Sequence, residues 1–252
     1  SSSKAVDQFN EAKALGIITR PVVIGPVTYL LLAKSKEAGF DPVSLLPKLL
    51  PVYIELLNNL KTAGAEWVQI DDPTLVLDIS DSVRAAFKSA YSELAKVSGI
   101  KLMLTTYFGA LSDNLKTATE LPVAGIHVDL VRNPEQLDSV INATKDQVLS
   151  LGVVDGRNIW KSNLTAILDR IESVAKARTI QIAPSCSLLH TPIDLTLETK
   201  LDAEVKGWLA FATQKLDELS LLSTAIAKGR DSVVEKLAAN AKSISNRKNS
   251  VL

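Results

Sequence analysis

The stretch AGAEWVQIDDP, residues 63–73, decides the fold: it ends a helix at Gly64, passes through a short apolar strand and closes in Asp71-Asp72-Pro73. Other apolar runs of the chain also finish in polar groups. These groups are Tyr107 after LMLTT, Asp129 after GIHV, Asp155-Gly156-Arg157-Asn158 after VLSLGVV, and Ser185-Cys186 after IQIAP. Buried strands that end in polar residues, with helices between them, are typical of a TIM-type (β/α)8 barrel, where the carboxyl ends of the strands form the mouth. The sequence therefore predicts an α/β fold and the place to look for chemistry.

The predicted strands are nearly continuous apolar runs, which indicates a parallel sheet covered by helices on both faces. They are 22–24, 66–70, 100–106, 124–129, 147–153 and 179–183. A closed barrel of this type has eight strands. The six runs are two fewer than that, so we expect about six parallel strand-helix units. The missing strands should leave unpaired strand edges near Val22–Ile24 and Ile180–Ala183, which make the isolated chain prone to aggregate.

Helices are predicted in the intervals between the strands. They are 3–14, 27–38, 41–63, 82–97, 111–119, 134–144, 162–178, 202–227 and 231–245. Asp41-Pro42 is a helix-start signal, and Pro47 and Pro51 should kink or break the helix that follows. The predicted domains are a partial barrel over 1–230 and, over 231–252, a helix with the start of an inter-domain linker.

The composition is that of a soluble globular protein. Of 252 residues, 46% are apolar, and 28 basic residues balance 28 acidic ones, so nothing indicates a nucleic-acid partner. The longest nearly apolar run, residues 22–33, is too short to span a bilayer, so no membrane association is expected. Cys186 is the only cysteine, which excludes an internal disulfide and suits the cytoplasm.

Two adjacent carboxylates, Asp71 and Asp72, end the second strand. Neighbouring strand residues point to opposite sides, so one carboxylate should face the barrel axis and the other the helix layer or a loop. A general base or a partner for a substrate amine is the functional interpretation. A helix N-cap or a salt bridge is the structural one, and the sequence leaves both open.

The later strand ends supply the other candidates. Asp129 either contributes to the mouth or forms a buried ion pair with Arg132. Arg157 can bind an anionic substrate group bidentately or brace Asp129 or Asp155, with bracing slightly favoured. The predicted substrate-binding set contains no catalytic residue and no metal ligand. It is Asp71, Asp72, Asp129, Asp155, Arg157 and Asn158.

Cys186, His190 and His127 do not form a recognisable metal motif. Zinc sites normally use at least three protein ligands, and no ligand spacing supports such a cluster here, so structural roles are favoured. A Cys-His nucleophile pair is equally weakly supported because Cys186 should be buried. The tryptophans are expected to pack in the core or between helices; they are Trp67, Trp160 and Trp208.

Five segments, in this order and spacing, resemble the amino-terminal domain of cobalamin-independent methionine synthase. They are AGAEWVQIDDP, LTTYFGAL, LGVVDGRNIW, APSCSLLHTPIDL and ETKLDAEVKGWLAFATQKL. The resemblance covers essentially the whole chain and begins at what would be the third barrel strand. It implies a methyltransferase of methionine biosynthesis built from two face-to-face barrels, which moves a methyl group from 5-methyltetrahydropteroyl-polyglutamate to homocysteine.

The resemblance also implies where the chemistry lies. Zinc, homocysteine and the pterin would bind the carboxy-terminal barrel, which is the expected partner within one monomeric polypeptide. This chain would be mainly scaffold, inactive alone and without a cofactor of its own. The basic residues that hold the polyglutamate tail in the family lie in stretches that this chain lacks.

The chain departs from the family pattern at two places. Where the carboxy-terminal barrel has its zinc ligands, this chain offers Thr105, Tyr107, Asp129 and Cys186, so two nitrogen or sulfur ligands are missing. The family's IDEP is Ile70-Asp71-Asp72-Pro73 here, which shortens the second acid by one methylene. Two alternatives stay open: a free-standing barrel enzyme of uroporphyrinogen-decarboxylase type that uses the mouth carboxylates and Arg157, and a non-catalytic binding module.

Overall fold

A computed structural model describes residues 3–251 and shows two compact units. The first unit is the chain up to Val128 together with Asn133–Val148, and the second is Asp129–Arg132 together with the chain from Leu149 onward. The strands are β1 (Val22–Ile24), β2 (Trp67–Asp71), β3 (Lys101–Thr105), β4 (Gly125–Asp129), β5 (Val148–Val154) and β6 (Ile180–Pro184). Their recorded pairings are parallel and helices separate them along the chain, which confirms the predicted α/β class.

In the first unit the strands pair in chain order from β1 to β4, and their registers bring the carboxyl ends level. Ile24 lies beside Asp71, Asp71 beside Thr105, and Thr105 beside His127. In the second unit β5 pairs with β6, with a register shift between Gly152 and Val154. Each unit therefore presents its strand ends along one edge, as parallel pairing requires.

One edge of β1 carries backbone groups that do not face β2. Pro21 accepts from Gln69 N–H and Gly25 donates to Asp71, so alternate residues point toward β2. The amide groups of Val22 and Ile24 then point the other way, and the hydroxyl of Tyr53 donates to the Ile24 carbonyl at 2.8 Å. The half-exposed side chain of Val22 adds apolar surface to this edge.

Most helices lie where the sequence predicts them. The α-helices are α1 (Lys4–Ala14), α2 (Pro26–Leu32), α3 (Leu46–Ala63), α4 (Asp81–Leu94), α5 (Leu115–Glu120), α6 (Gln136–Ala143), α7 (Leu164–Ala177), α8 (Ala203–Trp208), α9 (Ala212–Lys228) and α10 (Val234–Asn249). The 3-10 turns are Pro42–Leu45, Pro73–Val76, Ser112–Asn114, Leu188–His190, Leu195–Leu197 and Arg230–Val233. Gly64 ends α3 in the left-handed region at φ 100°, where a residue without a Cβ is unstrained.

The helix predictions for the first third of the chain are wrong in part. The helix expected over 27–38 stops at Leu32, because the Ser35 hydroxyl and the Glu37 backbone bond each other and compete with the helix. The helix expected from Asp41 begins as a 3-10 turn, capped by the Asp41 carboxylate on Val43 N–H. Pro51 lies inside α3 without ending it.

The single helix expected over 202–227 is two helices. Between α8 and α9 the backbone of residues 209–211 pairs with the segment after β5: Ala210 N–H donates to the Ile159 carbonyl, and Leu209 bridges Trp160. These long-range bonds replace helical ones. At the end of the chain, α10 continues to Asn249 and packs on α7 and α8, and the boundary predicted at residue 230 stays a prediction.

Candidate functional site

Asp71, at the end of β2, is a half-buried carboxylate with two side-chain donors. Gln69 Nε2 donates to Oδ1 at 2.8 Å, and the hydroxyl of Tyr107 donates to Oδ2 at 3.1 Å. Burial raises the pKa of Asp71, and the two donors oppose that rise by stabilising the ionised form. Asp71 is therefore held in place on the strand-end edge while still reaching solvent.

Asp72 points into the helix layer, as the alternation of strand side chains predicts. It is fully buried, and the hydroxyl of Tyr91 on α4 donates to its Oδ2 at 2.6 Å. Its Oδ1 is fully enclosed and has no hydrogen-bond partner among the described residues. Burial raises the pKa of Asp72 to about 6, against opposition from Tyr91 and the polar groups of Thr28. The protonated and charged forms of this acid are thus equally populated near pH 6, and the charged form is favoured about 10-fold at pH 7.

The carboxylate of Asp72 also explains Gly25, the residue before α2. A Cβ built on Gly25 would overlap the carboxyl group of Asp72. Gly25 therefore lets the start of α2 approach the acid closely. Next to it, the hydroxyls of Thr28 and Thr74 bond each other at 2.6 Å and close the space around the acid.

In the second unit, Asp129 ends β4 and is almost fully buried. Its Oδ1 accepts the backbone N–H groups of Val131 and Arg132, both at 2.9 Å. The acid therefore fixes the turn after β4 through backbone amides, which is the behaviour of a capping residue.

The turn after β5 is held by its own acid. Asp155 Oδ1 accepts the N–H of Arg157 at 2.8 Å, and its Oδ2 accepts Asn158 Nδ2 at 2.8 Å. Arg157 is exposed, and Asp155 and Asn158 are half-buried. Three of the six predicted residues thus lie together in one turn that presents a guanidinium to solvent.

Two buried charged residues of α9, Lys215 and Glu218, were missed from the sequence. Lys215 Nζ donates to Asn158 Oδ1 at 3.3 Å and to the Trp160 carbonyl at 3.2 Å. Glu218 accepts the N–H and the hydroxyl of Ser162 at 2.8 and 2.7 Å. Their spacing in the sequence could have identified them, because it places them on the same helical face as the buried Leu222 and Ala225. Charged residues are unexpected on such a face.

The sequence predicts that the tryptophans pack in the core or between helices, and Trp160 is not a core residue. It is 40% exposed, and the guanidinium of Arg247 on α10 lies 4.7 Å from its ring centroid. Trp208 is buried as predicted. Trp67 is half-buried, with Arg20 and Lys101 over its ring.

Cys186 is buried, as predicted, behind the turn after β5. Gly156 packs so closely on it that a Cβ there would meet the Cys186 carbonyl, and Gly156 N–H donates to Ser185 Oγ at 3.1 Å. Burial raises the pKa of the Cys186 thiol, and the negative charges of Asp129 and Asp155 raise it further. A thiol of this kind is a poor nucleophile and a poor metal ligand at neutral pH.

The residues present do not fit a zinc ion. Within residues 3–251, no group of three or more His, Cys, Asp or Glu side chains is arranged to hold a metal. His190 is exposed while Cys186 is buried, and Thr105 supplies only a hydroxyl at a strand end where a ligand would be needed. No reaction step of this chain can therefore be assigned to a metal held by its own side chains.

Residues 1–179 match the family described as "Cobalamin-independent synthase, N-terminal domain". The chain belongs to the cobalamin-independent methionine synthase family. It is 58% identical over 98% of its length to a 5-methyltetrahydropteroyltriglutamate–homocysteine methyltransferase of Nitrobacter winogradskyi, and 55% identical over 98% to one of Candida albicans. In both cases the chain spans only 33% of the relative's length.

Solved structures share the fold of this chain. A B12-independent methionine synthase from Shewanella sp. W3-18-1 matches 95% of the chain and 69% of its own, with a TM-score of 0.63 at 13% identity. A methyltransferase from Methanosarcina mazei matches 73% of the chain and 58% of its own, with a TM-score of 0.51 at 17% identity. At these identities the likeness concerns the fold alone, and it supports the barrel-type α/β class. Across the described residues, no helix combines the length and apolarity needed to cross a bilayer.

Proposed function

We propose that the chain is the amino-terminal part of an enzyme that transfers a methyl group from 5-methyltetrahydropteroyl-polyglutamate to homocysteine and so makes methionine. The observation that carries this proposal is the 58% identity over 98% of the chain to a relative with that activity in its name. The relative is about three times as long, so the proposal assigns the transfer itself to the whole polypeptide. In this proposal the chain acts in the cytoplasm, and the polypeptide is a monomer.

Within that enzyme we propose that this segment is a scaffold, inactive alone, and that its partner is the carboxy-terminal barrel of the same polypeptide. That barrel would hold zinc, which supplies a homocysteine thiolate to attack the methyl carbon. The absence of a fitting ligand set among residues 3–251 supports this division. We further propose that residues 1–230 form the barrel part and that 231–252 lead into the inter-domain connection.

We propose that the six predicted residues shape the substrate side of this segment in two ways. Asp71, Asp155, Arg157 and Asn158 have solvent-accessible side chains at strand ends and can touch a substrate group. Asp72 and Asp129 are enclosed: Asp129 fixes the turn after β4 through backbone amides, and Asp72 is bonded by the Tyr91 hydroxyl in the helix layer. Arg157 is the one cation of the set, and its guanidinium suits a carboxylate of the folate substrate or of homocysteine.

The assignment is tested by assaying methyl transfer from the triglutamate folate to homocysteine. We expect no turnover from the 252-residue chain, and turnover from the full-length polypeptide that contains it. Zinc analysis of both should find bound metal only in the longer protein. Turnover by the isolated chain, or stoichiometric zinc in it, would contradict the scaffold proposal and favour a free-standing barrel enzyme.

The role of Arg157 is tested in the full-length polypeptide with Arg157→Met. Loss of a charge-assisted contact to substrate should raise the KM for one substrate by about 10-fold or more, since such bonds contribute roughly 1.5–3 kcal/mol. Arg170→Met is the matched control, because Arg170 is an exposed arginine on α7. Equal KM values for the two variants would remove Arg157 from the site.

A further inference from the structure

The buried face of α9 holds the segment that follows the β5 turn. Two side chains one turn apart on this helix, Lys215 and Glu218, make hydrogen bonds to residues 158–162. Both side chains are more than nine-tenths buried, and Lys215 is fully buried. Charged side chains of the helix therefore hold the loop through hydrogen bonds.

A buried lysine in this position is costly for the fold. Its two hydrogen-bond acceptors, Asn158 Oδ1 and the Trp160 carbonyl, are both neutral. Burial lowers the pKa of Lys215, although the charges of Glu218 and Asp155 oppose this. Well-packed apolar residues often replace buried charges without loss of stability, so stability alone does not account for a lysine here.

The lysine has a geometric consequence for Asn158. An amide has one accepting and two donating positions, whereas an ammonium group only donates. Lys215 and the Trp160 N–H, at 3.0 Å, both donate to Asn158 Oδ1, so the amide nitrogen must point to the other side. There it donates to Asp155 Oδ2, and Asp155 Oδ1 in turn accepts the N–H of Arg157. A continuous chain of hydrogen bonds runs from Lys215 to the backbone of Arg157.

We propose that Lys215 is a positioning residue, which orients the Asn158 amide and thereby fixes the turn that presents Arg157 to an anionic group of the substrate. The substrate part of this inference rests on the proposed function. The geometric part is that Lys215 determines the conformation of the 155–158 turn, and it can be tested without an activity assay.

The test compares variants in the full-length polypeptide. Lys215→Met removes the ammonium and keeps an unbranched side chain of similar length. The matched control is Lys206→Met, which removes a half-buried lysine of α8 that donates to the Glu198 carbonyl. Amide hydrogen exchange of residues 157 and 158 reports the turn, and KM and kcat report its use. Asn158→Ala, which breaks the same chain of bonds on the loop side, replaces Lys215→Met if that variant does not fold.

We expect Lys215→Met to speed exchange of the Arg157 amide by about 10-fold or more, raise KM about as much as Arg157→Met, and change kcat less than about 2-fold. The double variant should have a KM no higher than either single variant, because both remove one function. Unchanged exchange at residue 157 would overturn the positioning role. Faster exchange with unchanged KM in both Lys215→Met and Arg157→Met would retain the positioning role and refute the substrate contact instead.

Discussion

Asp72 makes a sharp prediction about how the stability of the first unit depends on pH. A carboxyl group whose pKa rises from 3.8 to about 6 on folding binds its proton more tightly in the folded state. Below about pH 4 the acid is protonated in both the folded and the unfolded state, so it does not lower the free energy of unfolding. Between about pH 4 and 6 the unfolded state ionises first, so the unfolding free energy falls as the pH rises.

The size of the loss follows from the same values. At about 1.4 kcal/mol for each pH unit, the difference between 3.8 and about 6 corresponds to about 3 kcal/mol, fully lost above about pH 6. Asp72→Asn cannot ionise and removes this contribution. The variant should therefore lose stability relative to wild type at pH 4 and regain about 3 kcal/mol of that difference by pH 7.

The measurement is urea unfolding of the 252-residue chain between pH 4 and 7.5. Trp67 is the tryptophan of the first unit, so replacing Trp160 and Trp208 by Phe leaves a fluorescence reporter on β2, the strand that leads into Asp72. Ile70→Val, a buried control on the same strand, should cost about 0.5–1.5 kcal/mol at every pH. A difference between wild type and Asp72→Asn that is constant with pH, or that moves in the opposite direction, would refute the reasoning.

Three further outcomes follow from single sites. Thr105→Val should raise the unfolding free energy by about 1 kcal/mol, because the buried Thr105 hydroxyl has no hydrogen-bond partner among the described residues, and urea unfolding measures it. Gly25→Ala should cost about 1–3 kcal/mol, because its Cβ would overlap the Asp72 carboxyl, and Gly207→Ala, where a Cβ meets nothing and the backbone φ is ordinary, controls for an added methyl at an exposed position. Val22→Lys, on the open edge of β1, should reduce self-association of the isolated chain in sedimentation experiments, whereas Val234→Lys, at an exposed valine of α10 that is not part of this edge, should leave self-association unchanged.

The sequence predicted the strands well because each is a short apolar run with a polar end. All six strand predictions overlap the observed strands, and their limits differ by at most one residue. The opposite directions of Asp71 and Asp72 followed from strand geometry alone. The break between α8 and α9 could not be predicted in this way, because it depends on Ala210 bonding the Ile159 carbonyl some fifty residues away in the chain.

The same limit explains what was missed around the β5 turn. Asp155, Arg157 and Asn158 stand together in the sequence, so they were identified as one polar group. Lys215 and Glu218 lie on a helix far along the chain, and only the packing of α9 brings them to the turn. Their spacing on the buried face was a usable signal, but local sequence does not say which loop that face meets.

The hydrogen bonds between α9 and residues 158–162 limit where this chain can be joined to a relative in a chimera. Glu218 and Lys215 lie 56 and 57 residues after Ser162 and Asn158, the loop residues that they bind. A chimera joined between the loop and the helix would therefore take these hydrogen-bond partners from two different proteins. Exchanging the loop alone between homologues should therefore give poorly ordered hybrids, whereas a transplanted block that starts at β5 and ends after Lys228 carries its own anchors with it.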